Sequence, residues 1–339
     1  MVLLVLALAG GAAPRAVAMD DAPAMDRFAY SQVHMGVSFK LLLYAADEAT
    51  ANRGAEAAFA LIARLDQAMS DYKPYSELSR LSAAAPCPEG VPVSDPLWFV
   101  LERSQTLAAQ SDGAFDVTIG PLVRLWRRSR REKELPSPAR LAEAKAAVGY
   151  RHMQLDPATH RVRLLQPHMR LDLGGIAMGY AVDEVLKLLA EQGITRALVD
   201  ASGDIGVGDP PPGEEGWKIG VAPMVPGGPP SRMLVLTQAA VTTSGDAFQY
   251  VEIAGRRYSH IIDAKTGLGL TDRSAVTVVA PDCITADSIT KAVLVLGPKA
   301  GMDLIERTPG AAALIVRAPE GRVEVYESVR VRELKFIEP

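Results

Sequence analysis

The 339-residue chain has only two cysteines, Cys87 and Cys283, far apart and in no Cys-x-x-Cys or Cys/His spacing. That excludes a disulfide-stapled miniprotein and a zinc site of the finger or ribbon type. Positive charge is not in excess. The 36 Lys and Arg face 40 Asp and Glu, a formal charge of −4, which argues against capture of nucleic acid by a broad basic surface. No stretch reaches the roughly 20 apolar residues of a membrane span. The common nucleotide and hydrolase signatures are missing as well: no Gly-x-Gly-x-x-Gly opens a helix after a first strand, and there is no P-loop, Gly-x-Ser-x-Gly or His-Glu-x-x-His. Internal repeats and low-complexity tails are also absent. What is present is ordinary for a folded protein, 48% hydrophobic and 22% charged, on a chain long enough to bury a sizeable core.

The N-terminus departs from this average. An apolar run from Val2 to Pro14 is followed by Ala16-Val17-Ala18, with small residues placed as at a signal-peptidase site before Met19. This is the pattern of a secretory signal over residues 1–18, although no Lys or Arg precedes the apolar run and Arg15 lies beyond it. The expectation is an exported, periplasmic protein with a single domain over residues 19–339. The alternative is a short apolar helix retained on the folded chain. No Cys stands near the cleavage point, so no lipid anchor is expected, and Cys87 and Cys283 are expected to be incidental thiols.

Periodicity predicts a helix over Glu48 to Met69, where Ala58, Ile62, Leu65 and Met69 recur on one face. Ser94-Asp95-Pro96 starts a second, running through Trp98 and Leu101 to about Gln110. Arg124 to Lys133 holds six cations in ten residues, the pattern of a solvated face, with a phosphate grip as the alternative. A short helix follows to Val148. Strands are expected at Met153–Leu155, Val162–Leu164 and Met169–Leu173, and a helix over Gly179 to Gln192 precedes a strand at Arg196–Val199. Gly206 to Pro230 reads as loop around a short strand at Trp217–Val221. Strands follow near Met233–Leu236, Ala240–Thr242, Phe248–Ile253 and Arg257–Ile262. Then come a strand at Ser274–Ala280, helices at Ala286–Leu296 and Lys299–Arg307, and strands at Ala312–Arg317 and Arg322–Tyr326. Adjoining strands with grouped helices indicate an α+β protein with mixed sheets, packed helices and two intimate subdomains.

Five polar segments rich in glycine, hydroxyl or carboxylate residues sit at the ends of these elements. Gly113 to Gly120 offers Asp116 and Thr118 between glycines, either a capped loop or a ligand contact. Leu171 to Tyr180 runs through Asp172 and Gly174-Gly175 into a helix, where free N–H groups and the helix dipole suit an anion; the alternative is a tight turn. Asp200-Ala201-Ser202-Gly203-Asp204 is a sharp turn with carboxylates at its tip. Thr242 to Asp246, together with Tyr258 to Asp263, puts hydroxyls beside His260, the one histidine in such a cluster. In Thr285 to Lys291, Asp287 and Thr290 share a helix face, a set of oxygens that suits magnesium or simply helix-start chemistry.

In this order and spacing the segments resemble the ApbE family, the FAD:protein FMN transferases, from about Met35 to Val325. Met35-Gly36, Ser70-Asp71-Tyr72 with Ser76 to Leu81, Gly113 to Gly120, Asp172 to Asp183, Thr243-Ser244-Gly245 and His260 to Asp263 carry the resemblance. It implies Mg2+-dependent transfer of the FMN half of FAD onto a Thr or Ser of an acceptor flavoprotein, with release of AMP, in a setting such as a membrane-associated redox complex. By motif, Met35, Tyr72, Ala114, Phe115, Asp116, Asp172, Met178 and Ile261 would contact FAD. Gly175, Asp287, Thr290 and Lys291 would mark the metal site, and His260 would stand beside the reacting phosphates. Six positions depart from the family pattern: Met178 replaces a Lys, Lys291 the metal-binding Thr, Ser82 an Asn, Val37 a Thr, Ser202 a Gly and Ala264 a Pro. A relative that binds FAD without transfer, and an FAD pyrophosphatase, are alternatives.

Overall fold

A computed structural model describes residues 25–221, 232–245, 249–319 and 322–338; the leader-like residues 1–18, Phe248 and Asp246 lie outside that set. The scaffold is an eight-stranded sheet: β1 (Asp26–His34), β2 (Val37–Ala45), β3 (Ala197–Ala201), β4 (Asp204–Val207), β5 (Ala239–Gly245), β6 (Ser274–Ala280), β7 (Ala312–Arg317) and β8 (Glu324–Glu327). Strand order in the sheet follows chain order and every neighbouring pair is antiparallel. The helices enter as insertions between strands, which is the α+β arrangement expected from the sequence.

The helices are α1 (Glu48–Met69), α2 (Glu77–Ala83), α3 (Asp95–Gln110), α4 (Gly120–Glu132), α5 (Pro138–Ala146), α6 (Ala177–Glu191) and α7 (Cys283–Arg307). α1 has the predicted bounds because its signals are local. Asp47 caps it by accepting from the Thr50 N–H at 2.7 Å, and Ala51, Ala55, Ala58, Ile62 and Leu65 form one buried stripe. α7 covers both helices expected near the C-terminus. It bends at Gly297, whose φ of 76° breaks the ladder just before Pro298. Its first turn is held from outside: Asp183 accepts from the Cys283 and Ile284 N–H groups at 2.7 and 2.8 Å.

α1, α6 and α7 pack on one face of the sheet over the main apolar core, which includes Phe39, Leu41, Ile62, Val182, Val276 and Ile289. A small three-stranded sheet (Trp217–Gly220, Met233–Leu236, Lys335–Ile337) covers the other face through Val207, Val241 and Val279. β6 is therefore buried along its whole length. A third cluster packs Leu122 and Trp126 of α4 on the hairpin Tyr250–Ile253 and Arg256–Ser259.

Several expectations change. β1 and β2 occupy a stretch where the sequence reading assigns no element; the alternation of buried Phe39, Leu41 and Leu43 is the signal that marks β2. Met169–Leu173 is not a ladder strand. It touches the loop before α4 through one bridge, Ile119 with Arg170, and the Asp172 N–H donates to the Val117 carbonyl at 2.8 Å. β4 starts at the end of the Asp200–Asp204 turn and runs into the first two residues of the stretch read as loop, and β5 runs on to Gly245, carrying Thr243 and Ser244 into the sheet. The strand expected to reach Ile262 ends at Ser259. Cys87 and Cys283 are both free thiols.

Candidate active site

Four of the five polar segments reach a cavity of about 230 Å3, and Asp200 to Asp204 is not on its wall. Its wall includes Tyr72, Ala114, Phe115, Asp116, Asp172, Gly175, His260, Ile261 and Lys291, so nine of the residues singled out in the sequence meet here. Larger depressions of about 540 and 590 Å3 lie elsewhere on the surface but do not combine these segments.

At the mouth, Tyr72 is 74% exposed. The Arg127 guanidinium lies 4.1 Å from the ring centroid, backing one face of the phenol. Arg127 is fixed by two carboxylates, Nη1 to Asp71 at 2.6 Å and Nη2 to Asp172 at 3.2 Å. Burial works against its charge, but Asp71 and Asp172 hold the guanidinium above its ordinary range. Burial and the Asp71 charge push Asp172 up, against the Gly174 N–H that donates to its Oδ1 at 2.9 Å and the Arg127 cation. The solvated-face reading of Arg124 to Lys133 therefore fails at Arg127. Helical geometry turns that residue to the cavity side of α4, beside Val123, Trp126 and Arg130, which also line the wall.

The wall opposite is braced internally. Asp116 Oδ1 accepts from the Thr118 N–H and hydroxyl at 2.8 and 2.7 Å, and Oδ2 accepts from the Tyr150 N–H at 2.8 Å. Burial nevertheless raises its pKa. The Asp116 side chain thus holds the Gly113–Gly120 loop in shape. Trp126 Nε1 donates to the Ser259 carbonyl at 3.2 Å, and the Ser259 hydroxyl accepts from the Ile261 N–H at 3.1 Å, fixing the segment that carries His260. His260 Nδ1 lies 3.1 Å from the Gln249 carbonyl oxygen. A carbonyl only accepts, so Nδ1 carries the proton and Nε2 is the basic nitrogen of the neutral ring.

The inner end is formed where the first turn of α6 crosses α7. A Cβ on Gly179 would stand 2.8 Å from Asp287 Cβ, so only glycine permits this approach. The Gly179 N–H donates to Asp287 Oδ2 at 3.1 Å. The helix N-terminus expected to bind a ligand anion is thus already capped by a carboxylate from the neighbouring helix. Asp287 is fully buried, and its Oδ1 accepts from the Lys291 ammonium one turn along α7. Burial opposes the Lys291 charge, but Asp287 and Asp204 outweigh it and raise its pKa. Asp204 reaches this place from the start of β4; burial and the Asp287 charge push it up to about 7, against the pull of Lys291.

Some sequence-chosen residues stay off the cavity wall. Met35 lies in the β1–β2 turn, half-buried against the main core, and Met178 packs against the same core from α6. Asp287 and Thr290 lie behind Lys291, both fully buried. Arg127 and Asp204 gain importance that the sequence reading did not give them. Their partners are distant in the chain, so only the Asp-rich turn at Asp200–Asp204 hinted at either.

The oxygens available for Mg2+ do not fit a divalent ion. Both Asp287 carboxylate oxygens are engaged, by the Gly179 N–H and the Lys291 ammonium. The Thr290 hydroxyl donates to the Asp287 carbonyl at 2.7 Å and bonds the Ser244 hydroxyl at 2.9 Å. A cation already stands where the resemblance places the metal, and among the described residues no group of three or more His, Cys, Asp or Glu is arranged to hold one.

Fold and site together define an α+β protein whose pocket has an exposed, arginine-backed tyrosine ring at one end and a buried carboxylate–ammonium pair at the other. Residues 35–315 match the sequence profile of the ApbE family. The FAD:protein FMN transferase of Treponema pallidum (strain Nichols) is 32% identical over 301 residues, 83% of each chain. That of Salmonella typhimurium is 31% identical over 267 residues, 76% of this chain and 75% of its own. Among solved structures, the flavin transferase ApbE from Vibrio cholerae superposes with a TM-score of 0.83 at 27% identity, covering 92% of this chain and all of its own. The apo flavinyl transferase ApbE of Pseudomonas stutzeri gives 0.81 at 29% identity, covering 93% of this chain and 98% of its own. The chain belongs to the ApbE family.

Proposed function

We infer that the protein transfers the FMN half of FAD onto a Thr or Ser hydroxyl of an acceptor flavoprotein and releases AMP. The observation that carries this reading is the pairing, in one cavity, of the Arg127-backed Tyr72 ring with the Lys291 ammonium and the His260 imidazole. An exposed aromatic face suits the isoalloxazine or adenine ring, and the cation suits the pyrophosphate. A cavity of about 230 Å3 encloses part of a dinucleotide and leaves the remainder at the surface, where a second protein can approach.

In the reaction the acceptor oxygen bonds to the FMN phosphorus as the bond to the AMP oxygen breaks, and AMP leaves with that electron pair. The hydroxyl proton passes to Nε2 of His260. Such a transfer depends on positioning and charge neutralisation more than on covalent help from the protein. The side-chain oxygens that the resemblance assigns to magnesium, on Asp287 and Thr290, are engaged within the protein. Export to the periplasm is proposed on residues 1–18 alone and is tested by cell fractionation.

Purified protein incubated with FAD and candidate acceptor domains should yield a covalently fluorescent acceptor and one AMP per label. AMP without label would identify a pyrophosphatase, and bound FAD with neither product a binding protein.

A further inference from the structure

We propose that Lys291 is a built-in cation that stands in place of a divalent metal at the reacting phosphates, so that FAD binding and transfer need no added metal. The inference rests on the flavin-transfer reading of the cavity. Lys291 is anchored at one side only. Its ammonium pairs with the fully buried Asp287, which the Gly179 N–H holds from behind. Its stem passes the Gly174-Gly175 turn, with Cγ 3.4 Å from where a Gly175 Cβ would stand, and the side chain keeps 19% exposure where it lines the cavity. An ammonium has three donors. One goes to Asp287; among the described residues no second hydrogen bond is made by the ammonium, to which the buried Asp204 adds only its charge, so the other two donors are available to phosphate oxygens.

The surroundings support a fixed cation. Asp287 and Lys291 are one turn apart on α7, and the ridge they form meets α6 where Gly179 allows the closest approach, so the charge cannot swing far from the cavity. A divalent ion and this ammonium would compete for the same carboxylate at short range, where like charges repel strongly. The resemblance also expects a lysine at position 178, where this chain has a core-packed methionine. One cation is therefore lost from α6 and one gained on α7, at the same helix crossing. Lys291 forms and breaks no bond in the transfer; it neutralises phosphate charge while the acceptor oxygen replaces the AMP oxygen and His260 takes the proton.

The test measures FAD affinity by flavin fluorescence, and AMP release, for protein prepared in EDTA and then supplied with Mg2+. The expected result is affinity and rate within about twofold in the two buffers, and no Mg2+-induced rise in melting temperature. Lys291→Thr should bind FAD about tenfold to a hundredfold more weakly in EDTA, the loss expected for one charge-assisted contact. It should recover with Mg2+ and gain a Mg2+-dependent melting shift. Lys291→Met should lose affinity to a similar extent with no recovery. Wild-type binding or turnover that disappears in EDTA and returns with Mg2+ would overturn the inference and leave flavin transfer intact. Absence of FAD binding in both buffers by wild-type protein that melts cooperatively overturns the flavin reading and the inference with it. The wild-type arm decides the matter even where a variant fails to fold.

Discussion

At the mouth of the cavity Arg127 divides its guanidinium between Asp71 and Asp172 and lies over Tyr72; at the inner end Lys291, which lines the cavity, gives one donor to Asp287. Both places set a cation among carboxylates, yet the side chains do different work. The planar, two-armed guanidinium is used up in bracing a ring, and the other face of Tyr72 is left exposed. The ammonium is a point charge that one carboxylate can hold without consuming it. The carboxylates differ as well. Asp71 and Asp172 keep partial access to solvent, whereas Asp287 is fully buried, so its pairing matters to the fold as well as to the ligand.

The comparison can be broken most severely at Asp287. Asp287→Ala removes the partner of Lys291 and the cap of Gly179, and should cost about 3–5 kcal/mol, as for half of a buried pair; denaturant unfolding measures it. At the mouth, Tyr72→Ala should weaken FAD binding by about 1–3 kcal/mol, the worth of one base–aromatic stack, while the melting temperature stays put because the ring is mostly exposed. Arg127→Lys should give part of that loss, since an ammonium cannot span Asp71 and Asp172 while covering the ring.

A smaller effect concerns the start of α7, which holds the inner end in place. Burial raises Asp183 to about 7 despite the Cys283 and Ile284 N–H groups that favour its charge. Between the ordinary Asp value and about pH 7 the folded protein therefore holds a proton that the unfolded chain has released. Stability should accordingly fall as pH rises through this range, by something on the order of 2 kcal/mol between pH 5 and 7. Asp183→Asn should flatten the slope in melts run from pH 5 to 8. Smallest is the turn that delivers Asp204. Ser202 and Gly203 both have positive φ, 58° and 105°, as a two-residue hairpin turn requires. Ser202→Gly should raise stability by up to about 1 kcal/mol in thermal unfolding, which accounts for the glycine the family pattern expects there.

Most of the site was legible because its segments are short and local. Gly113 to Gly120, Asp172 to Gly175 and His260-Ile261 each announce a turn or an element end, and the structure brings all three to one cavity. Arg127 was hidden within a run of like residues. Its partners Asp71 and Asp172 lie 56 and 45 positions away, so nothing local separates it from its solvated neighbours. Met35 and Met178, placed at the ligand by motif, are partly buried against the main core and are not on the cavity wall.

By itself the sequence determined what depends on near neighbours: the bounds of α1, the start of α3, the break in α7 at Gly297-Pro298, and the one-turn spacing that lets Lys291 reach Asp287. Tertiary structure alone decided where those charges are buried and what they face. Crossing α6 over α7 at Gly179 turned a predicted anion site into a helix start capped by Asp287, and packing α4 beside Asp71 and Asp172 turned one arginine of a charged run inward. The reason is physical. Secondary structure follows from interactions a few residues apart, whereas the cost of burying a charge, and the partner that offsets it, are set by whatever the fold brings within a few ångströms.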